Sequence, residues 1–257
     1  MNLRIGSVPY LNVQPLVYGI KDQTAFCEPA ELAERLRAGE FDVGMVPVAE
    51  VLAHGRYDIV DGIAITSDGP VASVFLAHRM PVKNVKRVAV TPVSRTSVNL
   101  LRVLLKKCHG IEPEFYTKPV GAKLCDHEAM LLIGDEALEY SLKKPSTSRG
   151  IWDLGEAWKK LTGLPFVYAV WAMRQDLGAR SAPLREILRE AKKNGLAHLE
   201  DVVKVGTIGS AEFRREYLTR HVRFDLGAAE KRGLLKFQEL LAEAGLLKET
   251  HELRFVG

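Results

Sequence analysis

Cysteine is scarce in this 257-residue chain, and long apolar runs are missing from it. The three cysteines, Cys27, Cys108 and Cys125, are an odd number without paired spacing, which argues against a disulfide scaffold and against a zinc site. No stretch approaches the roughly 18 apolar residues of a membrane-spanning helix, and the first residues lack the apolar core of a signal peptide. We therefore expect a cytoplasmic protein with no membrane partner.

Neither positive nor negative charge is in large excess. The chain has 36 Lys and Arg residues against 32 Asp and Glu residues, which gives a net charge of +4. This balance is compatible with an anionic small molecule. No Lys/Arg block with interleaved aromatic residues is present, so nucleic acid is not an expected partner. With 47% apolar residues, the chain is long enough to bury one large core or two smaller ones.

The common motifs of catalysis and cofactor binding are absent as well. The sequence contains no GxGxxG, no P-loop, no HExxH and no GxSxG. Its seven histidines are scattered, and no two lie at the spacing of metal ligands. Metal-dependent catalysis is therefore not expected, and no cofactor signature is visible.

What the sequence does contain is an alternation of short apolar segments with amphipathic ones. FDVGMVPV (41–48), RVAVT (87–91) and FVYAVWAM (166–173) predict buried strands. Strands that alternate with helices predict an α/β fold with a mostly parallel sheet. After residue 182 the pattern changes to four predicted helices.

This alternation predicts two α/β lobes with a ligand cleft between them. Lobe I is expected to comprise residues 1–86 plus 167–257 with the helical tail, and lobe II residues 87–166. Ligands of open α/β sheets bind outside the carboxyl ends of the strands. The segment VPYLNVQPL (8–16) follows the first predicted strand, and its Asn12 offers hydrogen-bond donors and an acceptor that do not titrate. A simple turn and a binding loop both agree with this composition.

A second polar segment, TPVSRTSVNLL (91–101), precedes a predicted helix. One hydroxyl is enough to cap a helix, whereas this segment has Ser94, Thr96 and Ser97 together with Arg95. Free N–H groups and the helix dipole favour an anion at such a position. The segment therefore predicts a carboxylate or phosphate site.

Two further polar residues interrupt apolar surroundings. Ser73 is the only polar residue in VASVF, although a buried serine that bonds to the backbone would explain it equally well. Asp135 in IGDEAL either caps the following helix or lines the cleft.

Six stretches, in order over about residues 3–175, resemble the chorismate dehydratase family of the futalosine route to menaquinone. They are YLNVQPL, FDVGMVPVAE, DGPVASV, SRTSVNLL, IGDEAL and DLGEAWKKLTGLPFVYAVWA. The resemblance implies a two-lobed, periplasmic-binding-protein-like (type II) fold. It also implies the dehydration of chorismate to 3-(1-carboxyvinyloxy)benzoate without a cofactor.

Roles for individual residues follow from the same resemblance. The catalytic Asn of the family falls on Asn12 and its catalytic Ser on Ser73. Its carboxylate-binding segment falls on Ser94, Thr96 and Ser97. From their positions, Arg95 and Asp135 join these as expected substrate-binding residues.

The proton acceptor is less obvious. The matched motifs contain no His, Glu or Lys that must reach the ring proton, and Asp135 is the one ionisable candidate. Neutral Asn and Ser have no useful basicity. We hypothesise that the carboxylate on the enolpyruvyl arm of the substrate takes the proton.

Three alternative functions remain for a chain of the expected fold. A small-anion solute-binding protein would need export, and no signal peptide is visible. The related 1,4-dihydroxy-6-naphthoate synthase relies on a histidine in its first loop, and residues 8–16 contain none. The sensor domain of a transcription regulator would need a DNA-binding module, for which neither end has the length.

Overall fold

The computed structural model describes residues 3–91, 95–119, 121–143 and 150–257, and its strands form two sheets. In chain order the strands are β1 (Ile5–Ser7), β2 (Thr24–Phe26), β3 (Val43–Pro47), β4 (Tyr57–Ser67), β5 (Val74–His78), β6 (Arg87–Val90), β7 (Glu114–Thr117), β8 (Ala129–Ile133), β9 (Gly150–Asp153), β10 (Phe166–Arg174) and β11 (Arg254–Val256).

The α-helices are α1 (Pro29–Arg37), α2 (Val48–Ala53), α3 (Arg95–Leu104), α4 (Gly134–Lys143), α5 (Leu154–Thr162), α6 (Ser181–Ala197), α7 (Leu199–Val205), α8 (Ala211–Glu216) and α9 (Ala228–Glu243). The segment Leu11–Val17 forms a 3₁₀ helix, and Tyr217–His221 continues α8 as a π-helical turn. In the four described ranges, none of the helices combines the length and the apolar character that crossing a bilayer demands.

The first sheet has the strand order β11-β4-β10-β3-β1-β2, and the second has the order β7-β6-β8-β5-β9. Lobe I denotes here the part of the chain built on the first sheet, and lobe II the part built on the second. The expected return of the chain to the first sheet is present, because β10 pairs with both β3 and β4.

The sheets are mixed rather than mostly parallel. β10 runs antiparallel to β3 and β4, and β5 runs antiparallel to β8 and β9. β5 is the strand by which the chain enters the second sheet, and β10 is the strand by which it returns to the first. The remaining pairs in the described ranges are parallel.

One strand does not fit the expected boundary between the lobes, which was placed between residues 86 and 87. β5 lies in the range expected for lobe I, yet it pairs with β8 and β9 in lobe II. The chain crosses from one sheet to the other between Ser67, the last residue of β4, and Val74, the first residue of β5. Ser73 therefore lies at the end of a crossing segment.

The helices follow from local sequence. α1 begins at Pro29, whose missing N–H costs nothing at a first helical position, and it buries Leu32 and Leu36. In the tail, α9 packs on β10, and its Phe237 contacts Trp158 and Phe166 at ring-centroid distances of 5.8 and 4.9 Å. This aromatic cluster anchors the tail to lobe I.

Candidate active site

A cleft that opens to solvent lies between the lobes and is lined by residues of both. Its polar lining residues in the described ranges are all neutral: Tyr10, Asn12, Ser73, Thr96, Ser97 and Tyr168. Apolar residues from both lobes, among them Ile65 and Ile133, form most of the remaining lining. A concave, mostly apolar space with a few convergent polar groups is typical of a small-molecule site.

Asn12 enters the cleft from the 3₁₀ helix that follows β1. Val13 and Leu16 of this helix are buried, which fixes the side of the helix that faces the core. The Asn12 Oδ1 atom is buried and has no hydrogen-bond partner among the described residues. A buried acceptor without a partner costs free energy, so this oxygen marks a place for a ligand donor.

Ser73 enters the cleft from the opposite side, immediately before β5. Its carbonyl oxygen accepts from the Gly134 amide at 2.7 Å. Its Oγ accepts from the Tyr217 hydroxyl at 2.8 Å, and both side chains are buried. Tyr217 belongs to the helical tail, in which the sequence offered no motif.

The phenol of Tyr217 is held in its protonated form. Burial raises the pKa of Tyr217 well above its usual range, although side-chain hydrogen bonds with Ser73 and Asn12 act to lower that pKa. Tyr217 is therefore a hydrogen-bond donor at any physiological pH.

Asp153 fixes the segment before Ser73. Its carboxylate accepts from the amides of Val71 at 3.1 Å and Ala72 at 2.8 Å. It also caps α5 by accepting from the Glu156 amide at 3.0 Å. Burial raises the pKa of Asp153, and these backbone hydrogen bonds oppose the rise. The capping role is readable from the sequence, whereas the contact with residues 71 and 72 is not.

Thr96 and Ser97 are brought to the cleft by the first turn of α3. The Thr96 Oγ1 atom accepts from the amide of Ala49 at 3.0 Å, and thereby joins the starts of α3 and α2 across the lobes. Its own hydroxyl hydrogen can still be donated to a ligand. Ser94, the third predicted hydroxyl, lies outside the described residues.

Arg95 and Asp135 are placed beside the cleft rather than on its lining. Arg95 is exposed and lines a neighbouring groove with Arg37 and Glu50. The Asp135 Oδ1 atom accepts from the Leu11 amide at 3.1 Å, so this carboxylate holds the start of the Asn12 helix. Burial raises the pKa of Asp135, and the bond from Leu11 opposes the rise. Substrate binding by these two residues stays a prediction.

The arrangement suits reactions that need positioning more than acid–base strength. The described lining supplies hydroxyl and amide groups from both lobes, but no carboxylate, imidazole or amine. Such donors can hold a carboxylate and stabilise charge that develops on a departing oxygen.

Solved structures support the fold. A protein from Archaeoglobus fulgidus superposes with a TM-score of 0.76 at 17% identity, and the match covers 95% of this chain and 98% of that one. A Candida albicans protein described as having the generic periplasmic binding protein fold gives a TM-score of 0.59 at 15% identity, with coverages of 96% and 91%. The expected two-lobed, periplasmic-binding-protein-like α/β fold is confirmed.

Similar sequences identify the family as well as the fold. A chorismate dehydratase of Thermus thermophilus is 30% identical to this chain, over 92% of this chain and 94% of that protein. A family model described as menaquinone biosynthesis matches residues 3–243. These matches confirm the resemblance carried by the six motifs, and the chain belongs to the menaquinone biosynthesis family.

Proposed function

We propose that this protein is a chorismate dehydratase, a carbon–oxygen lyase that removes water from chorismate to give 3-(1-carboxyvinyloxy)benzoate. As a biosynthetic enzyme of the futalosine route to menaquinone, it is proposed to act in the cytoplasm. The observation that carries the proposal is the meeting of Asn12, Ser73 and the start of α3 in one cleft, in a chain 30% identical to a chorismate dehydratase.

Chorismate is a dianion with a ring hydroxyl, and the cleft offers neutral donors for both features. The hydroxyls of Thr96 and Ser97 stand at the start of the ten-residue helix α3, where backbone N–H groups and the helix dipole favour a carboxylate. The apolar lining excludes water around the ring, which strengthens each of these hydrogen bonds.

Loss of water makes the ring aromatic, so the substrate itself supplies the thermodynamic drive. The C–H bond at the carbon bearing the ether breaks, and its electron pair forms the new ring double bond as the neighbouring C–O bond breaks. The proton passes to the carboxylate of the enolpyruvyl arm. Hydroxide leaves with a hydrogen bond from Ser73, and this proton and hydroxide together make up the water lost.

The position of Asp135 supports a substrate carboxylate as the base. Its Oδ1 atom is engaged by the Leu11 amide, and the residue is not part of the described cleft lining. Holding the enolpyruvyl arm close to the ring proton is the kind of positioning that supplies several kcal/mol.

The direct test is incubation of the purified, EDTA-treated protein with chorismate, with the aromatic product followed by its absorbance and by mass spectrometry. We expect turnover without added metal or nucleotide. Asn12→Ala and Ser73→Ala are each expected to lower kcat about 10²–10³-fold, as loss of one stabilising donor typically does. Binding of chorismate without conversion would instead favour a solute-binding protein.

Asp135→Asn tests the base. The Asn side chain keeps an acceptor oxygen for the Leu11 amide, so the variant is expected to fold and to retain most of its activity. A chorismate analogue that lacks the carboxylate of the enolpyruvyl arm is expected to bind without losing water. Collapse of activity in Asp135→Asn would assign the base to the protein.

A further inference from the structure

We propose that Tyr217, from the helical tail, is a positioning residue of the active site. Its hydroxyl donates to Ser73 and thereby directs the Ser73 hydrogen into the cleft, toward the oxygen that leaves. This inference rests on the proposed function and extends the site beyond residues 3–175, which carry the six motifs.

The geometry of the pair supports this direction. The Tyr217 Oη atom lies 2.8 Å from Ser73 Oγ, and the two residues are only 2% and 1% exposed. A serine hydroxyl has one hydrogen to donate and can accept two. When Tyr217 donates, the Ser73 hydrogen has to point elsewhere. In the described part of the chain Ser73 Oγ has no second hydrogen-bond partner, and Ser73 lines the cleft.

The position of Asn12 also supports donation from Tyr217 to Ser73. A side-chain hydrogen bond with Asn12 acts on the pKa of Tyr217, while the Asn12 Oδ1 atom has no partner among the described residues. An Asn12 N–H₂ group close to the Tyr217 oxygen agrees with both observations, because this group can donate to that oxygen and leave the Tyr217 hydrogen for Ser73.

The first test is Tyr217→Phe, which removes the hydroxyl and keeps the ring. We expect kcat to fall about tenfold or more, the effect of losing one hydrogen bond in a dry site, while KM for chorismate stays within about twofold. Tyr57→Phe is the matched control, because Tyr57 is also buried and its hydroxyl donates to Glu50 at 3.0 Å, away from the cleft lining. It is expected to keep the wild-type kcat.

A double-mutant cycle separates positioning from general stability. Because Tyr217 is proposed to act through Ser73, Tyr217→Phe is expected to cause no further loss of kcat in a Ser73→Ala background. Losses that multiply in the double variant would overturn the inference. So would a wild-type kcat for Tyr217→Phe while the wild-type protein converts chorismate. If the wild-type protein binds chorismate without converting it, the proposed function itself fails.

A ring-fluorinated tyrosine at position 217 provides a second readout if Tyr217→Phe does not fold. Fluorination lowers the pKa of the phenol and keeps the packing, and an ionised phenolate cannot donate to Ser73. We expect kcat of this protein to fall as pH rises through the new ionisation, with the melting temperature followed in parallel. A pH profile of kcat identical to that of the wild-type protein, over a range in which the absorbance of the fluorinated phenol shows that it ionises, would contradict the proposed role.

Discussion

Asp153 accepts a hydrogen bond from the amide of Ala72, with 2.8 Å between Oδ2 and N, and Ala72 has a left-handed φ of 61°. Among the described residues, Ala72 is the only non-glycine residue with positive φ. For an L-residue this conformation costs roughly 1–2 kcal/mol. The carboxylate of Asp153 therefore stabilises a strained backbone directly before Ser73.

Replacing this carboxylate is expected to impair catalysis and stability together. Asp153→Asn has one acceptor oxygen where the wild-type side chain has two, so at least one of the amides of Val71, Ala72 and Glu156 loses its partner. We expect the free energy of unfolding to fall by about 1–3 kcal/mol and kcat to fall with it. Urea denaturation and chorismate turnover measure the two effects.

Asp61→Asn is a suitable control for that variant. Asp61 also accepts from a backbone amide, that of Gly62 at 2.8 Å, but lies on β4 away from the cleft lining. Its kcat should equal that of the wild-type protein. Equal losses of kcat in both variants would show that Asp153 has no special role at Ser73.

Thr96 is expected to serve both the fold and the substrate. In Thr96→Val the buried amide of Ala49 loses its acceptor and the ligand loses a hydroxyl, whereas Thr96→Ser keeps both. We expect Thr96→Val to raise KM for chorismate and to lower the free energy of unfolding by about 1–3 kcal/mol. Thr96→Ser should match the wild-type protein in both. An unchanged KM in Thr96→Val would show that Thr96 supports the fold and does not bind the substrate.

Gly195 determines how closely α6 approaches the helix of Asn12. A methyl group at this position would overlap the carbonyl oxygen of Pro15. Gly195→Ala should therefore displace the Leu11–Val17 helix, destabilise the protein by about 1–3 kcal/mol and lower kcat. Gly233→Ala is a matched control, because its methyl group would meet the Pro165 carbonyl oxygen, which is not part of the cleft lining. It should lose stability and keep kcat.

Acid stability is expected to depend on Asp42. Burial alone would raise the pKa of Asp42, but the hydrogen bonds from Arg4, the shortest of them 2.7 Å, outweigh burial and the pKa is lowered. A folded-state pKa below the unfolded value of about 3.9 stabilises the protein at higher pH, and this stabilisation is lost as the pH falls through the folded value. The difference in unfolding free energy between wild type and Asp42→Asn should be largest near neutral pH and shrink below about pH 4. A constant difference from pH 7 to pH 3 would contradict this.

The sequence predicted which residues reach the cleft better than it predicted where the side chains of adjacent residues point. Asn12, Ser73, Thr96 and Ser97 all reach the cleft because strand ends and helix starts meet there. Arg95 precedes Thr96 by one residue, yet successive helical residues point about 100° apart, and its side chain enters the neighbouring groove. In the same way Gly134 lines the cleft, while Asp135 binds the Leu11 amide.

Other features depend on contacts between distant parts of the chain. Gly195 lies inside α6, which ends at Ala197, and the absence of a side chain there allows close packing on Pro15, a contact that local sequence does not reveal. Tyr217 lies 144 residues from Ser73, and no local pattern distinguishes it from an ordinary core tyrosine. β11 is short and was not predicted for the same reason, since it pairs with a distant strand, Arg254 lying opposite Asp58 of β4.

Two of the contacts between the tail and the site set a condition for building chimeras with relatives. Gly195 contacts the segment that carries Asn12, and Tyr217 contacts Ser73, so residues after about 180 touch both sides of the cleft. A tail exchanged for that of another family member has to bring a glycine and a tyrosine to these same two points. A graft that supplies only an equivalent apolar face would complete the fold and leave the reaction slow.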